Sequence, residues 1–109
     1  MPNNIDKVVR DFVKEIRELL GDRIKKIILY GSYARGDYKQ NSDVDIMILT
    51  DLEPKEIEYY RDKISDISFE IELKTEVIIS PIIKNIDKYN SRKEIVPFYM
   101  NIQKEGVEL

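Results

Sequence analysis

The sequence predicts an α/β chain of the α+β kind: one small domain, residues 1–109, in which a mixed, mostly antiparallel β-sheet carries helices packed on one side. Three observations predict it. Apolar residues recur at helical spacing through residues 5–20 and again after residue 54. Short segments rich in β-branched residues lie between and after them. The first two of those segments, 24–30 and 43–49, are joined by residues 31–42, a stretch with hardly any room for a helix. Such a connection suits antiparallel or mixed pairing rather than a repeated βαβ unit.

The elements follow in order. Ile5, Val8, Val9, Phe12, Val13, Ile16, Leu19 and Leu20 form one apolar stripe with charges opposite, so residues 5–20 read as a helix. Asn4 is its expected N-cap and Gly21 its left-handed stop. Residues 24–30 read as a strand broken by Gly31-Ser32. Residues 32–42 are polar, with space for a short helical turn. Residues 43–49 alternate at first and then run uniformly apolar, the pattern of a mostly buried strand. Pro54 opens the next helix, which Ile57, Tyr60, Ile64, Ile67 and Ile71 carry to about residue 72. Residues 75–79 are expected as a third strand, ended by Ser80-Pro81. A short helix is expected within 84–89, and a last helix over 94–105 with Gly106 as its stop.

Composition narrows the chemistry. The chain has no His and no Cys, so disulfides, thiolate nucleophiles, Ser-His-Asp machinery and Cys/His zinc sites are all excluded. Carboxylates, hydroxyls, amines, guanidinium groups and backbone amides remain, and such hard oxygen donors suit Mg²⁺ or Mn²⁺. With 18 Lys and Arg against 21 Asp and Glu, the net charge of −3 does not favour general nucleic-acid binding. No apolar run reaches the ~18 residues of a membrane span. The N-terminus lacks an apolar signal core, so a cytoplasmic protein without membrane attachment is expected.

Asp43 and Asp45 are the first candidate site residues. Two apart on a strand, they share a face about 7 Å apart while Val44 and Ile46 turn into the core. Their mutual repulsion calls for a cation, or else for full hydration at a solvated edge or turn. Gly31-Ser32, after a strand and before a helical turn, lets backbone approach a phosphate and adds a hydroxyl, although the same pair also makes an ordinary turn. Arg35 could reach a phosphate or brace the carboxylates, or pack its stem on the surface. Glu76, on the expected third strand, could complete a three-carboxylate cluster or sit exposed. Glu70 and Glu72 are its rivals for that role.

The combination carries more than its parts. Gly31-Ser32, ten intervening residues and Asp43-Val44-Asp45 are joined by an insert that reads Tyr33-Ala34-Arg35-Gly36 and ends Asn41-Ser42. Together they resemble the minimal nucleotidyltransferases of the DNA polymerase β superfamily. About 20 residues match in detail, and the layout through residues 101–107 is similar. The resemblance implies the nucleotidyltransferase fold and two Mg²⁺ ions, with Mn²⁺ as substitute, held by Asp43, Asp45 and Glu76. It implies a nucleoside triphosphate gripped by Gly31, Ser32, Arg35 and Ser42. The reaction would be attack of an acceptor hydroxyl on the α-phosphate, with AMP transferred from ATP and pyrophosphate released. Where the family pattern has Asp, this chain offers Glu76, and its extra methylene puts full activity in question. The chain is too short for a separate acceptor domain. The resemblance therefore implies a small helical partner of the HEPN type, with the chain as a toxin–antitoxin component that modifies a partner tyrosine. The alternative is an antitoxin-like binding subunit with weak or no catalysis; a homo-oligomer also stays open.

Overall fold

A computed structural model describes residues 1–109. Helix α1 spans Asn3–Leu20 and buries Ile5, Val9, Phe12, Ile16 and Leu20 along one side, as their spacing requires. Pro2 rather than Asn4 takes the cap position, and Gly21, at φ +58°, ends the helix into a 3-10 turn. Strand β1 is Ile24–Tyr30, followed by the single-turn helix α2, Ser32–Arg35. Strand β2, Val44–Thr50, is buried from Ile46 onward on both its faces.

Helix α3 runs Pro54–Thr75, with Pro at its start and a reciprocal capping box between Glu53 and Glu56. Strand β3 is Ile79–Asn85. Asn85 then caps helix α4, Ile86–Arg92, by accepting from the backbone N–H groups of Asp87 and Lys88. Helix α5, Pro97–Glu105, and the two-residue strand β4, Val107–Glu108, complete the chain.

The sheet has the order β3-β2-β1-β4. β1 pairs antiparallel with β2 and with β4, while β2 and β3 run parallel across the α3 crossover, so the sheet is mixed and mostly antiparallel. One face packs Ile27, Leu29, Val44, Ile46, Ile48, Ile79 and Ile83 against α1 and α3. The long helices lie on that one side. The short helices α4 and α5 cover part of the opposite face through Tyr89 and Ile102, against Ile28, Tyr30, Met47 and Leu49. No helix is long and apolar enough to cross a membrane.

The last two helices begin later than expected, at Ile86 and Pro97, and two further boundaries differ for one shared cause. Helix α3 continues through residue 75: Thr75 Oγ1 donates to the Ile71 carbonyl at 2.7 Å, and the Glu76 N–H closes on Glu72 at 2.8 Å. The third strand therefore begins at Ile79, not at residue 75, and extends through residues expected to be mixed or helical. Pro81 falls inside it. That is tolerated because β3 is an edge strand, where a missing N–H breaks no ladder. The two residues of β4 went unforeseen because so short a segment has no period to read.

Candidate functional site

The chain turns sharply where β1 ends. Gly31 has φ +76°, a conformation that favours glycine, and its carbonyl accepts from the N–H groups of Ala34 and Arg35 at 3.1 and 3.0 Å. Its missing side chain matters a second time. A Cβ on Gly31 would overlap the Asp45 carboxylate, so glycine brings bare backbone against that acid. Asp45 lies on β2 between Tyr30 of β1 and Ser80 of β3, its partners in register. Asp43 stands just before the strand, exposed, and its Oδ2 accepts from Ser80 Oγ at 3.2 Å. The two carboxylates thus open on the α5 side of the sheet, while Val44 and Ile46 fill the core beneath.

A cleft of about 340 Å³ lies beside them, lined among others by Gly31, Ser32, Arg35, Asp45, Phe98 and Glu105. That is within the range of small-molecule sites, roughly 300–1,000 Å³. Glu105 ends α5 there. Its Oε1 accepts from the Gly31 N–H at 3.3 Å, and both its oxygens accept from Arg35 Nη1, at 3.2 and 3.1 Å. Arg35 Nε reaches Asp37 at 3.1 Å. A backbone N–H and a guanidinium therefore converge on one carboxylate, the arrangement of an anion seat.

The electrostatics are uneven. Partial burial holds the Asp45 carboxyl above the ordinary aspartate range; the charges of Asp43 and Glu105 add to this and Arg35 opposes it. Burial also pushes the Tyr30 hydroxyl up to about 12, with Asp45 contributing. Hydrogen bonds that Arg35 donates to Asp37 and Glu105 hold its guanidinium more firmly charged than usual. Negative charge around Asp43 and Asp45 is left without a cation of its own.

Gly31, Ser32, Arg35, Asp43 and Asp45 are thus gathered around one corner of the sheet. Glu76 is not among them. It is the cap of α3, exposed, at φ +63° in the left-handed region, and it lines a different cleft with Asn4, Ile5, Tyr33, Ser42 and Val77 on the α1 side. Asp43, Asp45 and Glu76 accordingly do not form the expected cluster, and no group of three or more acidic side chains is placed to hold a metal ion. The extra turn of α3 is the reason, because it moves position 76 off the strand and leaves Ser80 beside Asp45. Ser42 lies apart too, its Oγ accepting from the Lys39 N–H at 2.7 Å as a loop brace.

Sequence reasoning missed Ser80, Tyr30, Phe98, Asn101 and Glu105. Only Asn101 and Glu105 had a signal, lying within the matching segment 101–107, but the contacts of Glu105 span 70 residues and more.

The donor set suits a divalent cation. Two neighbouring carboxylates, one half-buried and repelled by the other, and a hydroxyl are hard oxygen ligands of the type that hold Mg²⁺ or Mn²⁺. They fit one ion; the further acid of this cleft, Glu105, is engaged by Arg35 and the Gly31 N–H, and no three acidic side chains are placed to hold a metal together.

The chain matches the model of the family described as "Nucleotidyltransferase domain" over residues 9–105. It is 37% identical over 103 residues to a candidate protein adenylyltransferase of Methanocaldococcus jannaschii, across 94% of this chain and 95% of that one. A second such protein of the same organism is 43% identical over 79 residues, across 72% and 78% of the two chains. Among solved structures, a candidate nucleotidyltransferase from Sulfolobus solfataricus superposes with a TM-score of 0.55 at 19% identity, across 99% of this chain and 86% of that one. A toxin–antitoxin structure with AMP-PNP gives a TM-score of 0.50 at 17% identity, across 97% and 69%.

Proposed function

The chain belongs to the nucleotidyltransferase domain family, and from that premise we propose that it transfers AMP from ATP to an acceptor hydroxyl, a tyrosine of a partner protein, releasing pyrophosphate. One observation carries the reading. Gly31 packs its bare backbone directly against the Asp45 carboxylate, which supports reading the bend as a phosphate cradle beside an acid pair suited to a cation. Neither half would suffice alone.

In this reading Asp43 and Asp45 would hold Mg²⁺, for which Mn²⁺ would substitute. When bound, the ion offsets phosphate charge and draws electron density from the α-phosphorus. Gly31 brings backbone close to the phosphates, and Ser32 adds its hydroxyl. Arg35 supplies a fixed positive charge, reached once phosphate takes the place of Glu105. The bond from acceptor oxygen to α-phosphorus forms as the bond from that phosphorus to the bridging oxygen breaks. Pyrophosphate leaves with the electron pair, and the hydroxyl proton passes to water. Such chemistry asks for positioning and charge neutralisation, which a chain without His or Cys can provide.

A protein acceptor is supported by the relatives named as protein adenylyltransferases, with tyrosine as the proposed hydroxyl, and a partner by the toxin–antitoxin assembly among the structural neighbours. A small helical HEPN-type protein is the partner class proposed. A second reading, an antitoxin-like binding subunit with little or no catalysis, is favoured by one observation: the β3 position beside Asp45 is Ser80, not an acid, and no three acidic side chains are placed to hold a metal.

Incubation of the chain and its co-purified partner with α-labelled ATP and Mg²⁺ separates the two. Label on a partner tyrosine that disappears with Asp43→Asn supports transfer. A complex that stays intact and unlabelled supports the binding subunit.

A further inference from the structure

The cleft has two chemically different ends, and a single helix face builds both. Phe98, Asn101, Ile102 and Glu105 all line it. Their spacing of i, i+3, i+4 and i+7 stacks them on one side of α5. At about 1.5 Å per residue, Phe98 and Glu105 stand roughly 10 Å apart along the axis. Glu105 marks the anion end, where the Gly31 N–H and Arg35 converge. Ile102, 1% exposed, anchors the middle of the face to the sheet.

The far end is aromatic and open. Phe98 is 43% exposed. Tyr30 meets its ring edge-on at 5.7 Å and Tyr99 at a tilted 5.8 Å, so neither neighbour stacks flat on it. An exposed phenyl ring braced from beneath by a buried tyrosine is a surface for another flat ring. Asn101, exposed on the next turn, brings an amide with two donors and an acceptor to the same stretch of cleft. A flat ring with a hydrogen-bonding amide on the next turn at one end and an anion seat at the other match the base and the phosphates of a nucleotide.

We propose that Phe98 and Asn101 form the nucleobase seat of this cleft, Phe98 stacking on the base and the Asn101 amide meeting its hydrogen-bonding edge. The inference rests on the nucleotidyl-transfer reading and adds to it the recognition of the base. Asn is suited to adenine, whose edge offers an adjacent donor and acceptor that one amide can engage together.

Calorimetric titration with ATP and with inorganic tripolyphosphate, each with Mg²⁺, tests it. Phe98→Ala is expected to weaken ATP binding roughly 5- to 150-fold, the range found for loss of one base–aromatic stack, with tripolyphosphate affinity unchanged. Phe98→Tyr restores ATP binding. Asn101→Ala narrows the preference for ATP over CTP. Phe98 is exposed, so melting temperatures of the variants should match the wild type and certify folding. The proposal is overturned if Phe98→Ala leaves ATP affinity unchanged, or if it weakens both ligands alike. Wild type that binds tripolyphosphate as tightly as ATP removes the base seat but leaves the phosphate site standing. Wild type that binds neither removes the nucleotidyl-transfer reading, and the base seat with it.

Discussion

Asp45→Asn should stabilise the metal-free protein. The amide matches the carboxylate in size, so its packing against Gly31 is kept and only the charge is lost. Asp43 and Asp45 lie about 7 Å apart if measured by two strand residues. Two unit charges at that separation repel by about 0.6 kcal/mol at the dielectric of water and by about 2.4 kcal/mol at an effective dielectric of 20. Asp45 is half-buried, Asp43 is exposed and Arg35 opposes the repulsion. The net gain should therefore lie near the lower limit, roughly 0.5–1 kcal/mol. For a domain of this size that is a rise in melting temperature of about 2–8 °C. The sign can be checked with pH. The Asp45 carboxyl is raised in the folded state, so the folded protein holds this proton more tightly than the unfolded chain. The penalty of the ionised group is fully present above the raised value. It fades as pH falls through that value, and the variant's advantage should fade with it. Melting in chelator and again in millimolar Mg²⁺ completes the test. Wild type gains stability from the ion by mass action, and the variant gains little. A variant that melts no higher than wild type in chelator, or gains as much from Mg²⁺, would refute the reasoning.

Three further outcomes are expected. Gly31→Ala pays a left-handed backbone cost of roughly 1–2 kcal/mol and also strikes the Asp45 carboxylate; Gly21→Ala, with a similar φ and nothing near its Cβ, meets only the first, so thermal melting should rank Gly31→Ala clearly lower. Glu76→Gln should leave the Mg²⁺-dependent rise in melting temperature unchanged, because Glu76 caps α3 in another cleft; loss of that rise would return Glu76 to the metal set. Glu105→Gln should tighten tripolyphosphate binding by up to roughly fivefold, the worth of a partly exposed ion pair, and calorimetry showing weaker binding would make Glu105 a support of the seat rather than its occupant.

What the sequence made legible, and what it hid, divides along the range of the interactions. Helix α1 was readable because eight apolar residues repeat at helical spacing, and β2 because alternation gives way to a buried run. The neighbourhood of Gly31 and Asp45 was readable because both belong to one short motif with fixed spacing. Position 76 misled for the opposite reason. Residues 75–79 have β-branched side chains on both sides of a helix end, and local propensity does not reveal that α3 keeps its hydrogen bonds through Thr75. A four-residue shift of the strand start then exchanged a glutamate for Ser80 beside Asp45. Glu105 and Phe98 were hidden by distance along the chain, since no local pattern says that a C-terminal helix will close on a bend 70 residues earlier.

That same helix ties the parts of the site together. Glu105 holds Arg35 and the Gly31 N–H, while Phe98 stands two turns away on the same face, with Ile102 buried between them. Under the proposed chemistry a phosphate must take the contacts that Glu105 now holds, and the base must settle against Phe98 at the same time. Both events bear on one helix that is anchored mainly by Ile102, Tyr99 and the two-residue strand β4. Release of Glu105 and engagement of Phe98 are then coupled through the position of α5, and by linkage a change at one end alters affinity at the other. A double substitution, Glu105→Gln with Phe98→Ala, should therefore depart from the sum of the single effects on ATP affinity, whereas independent seats would give simple additivity.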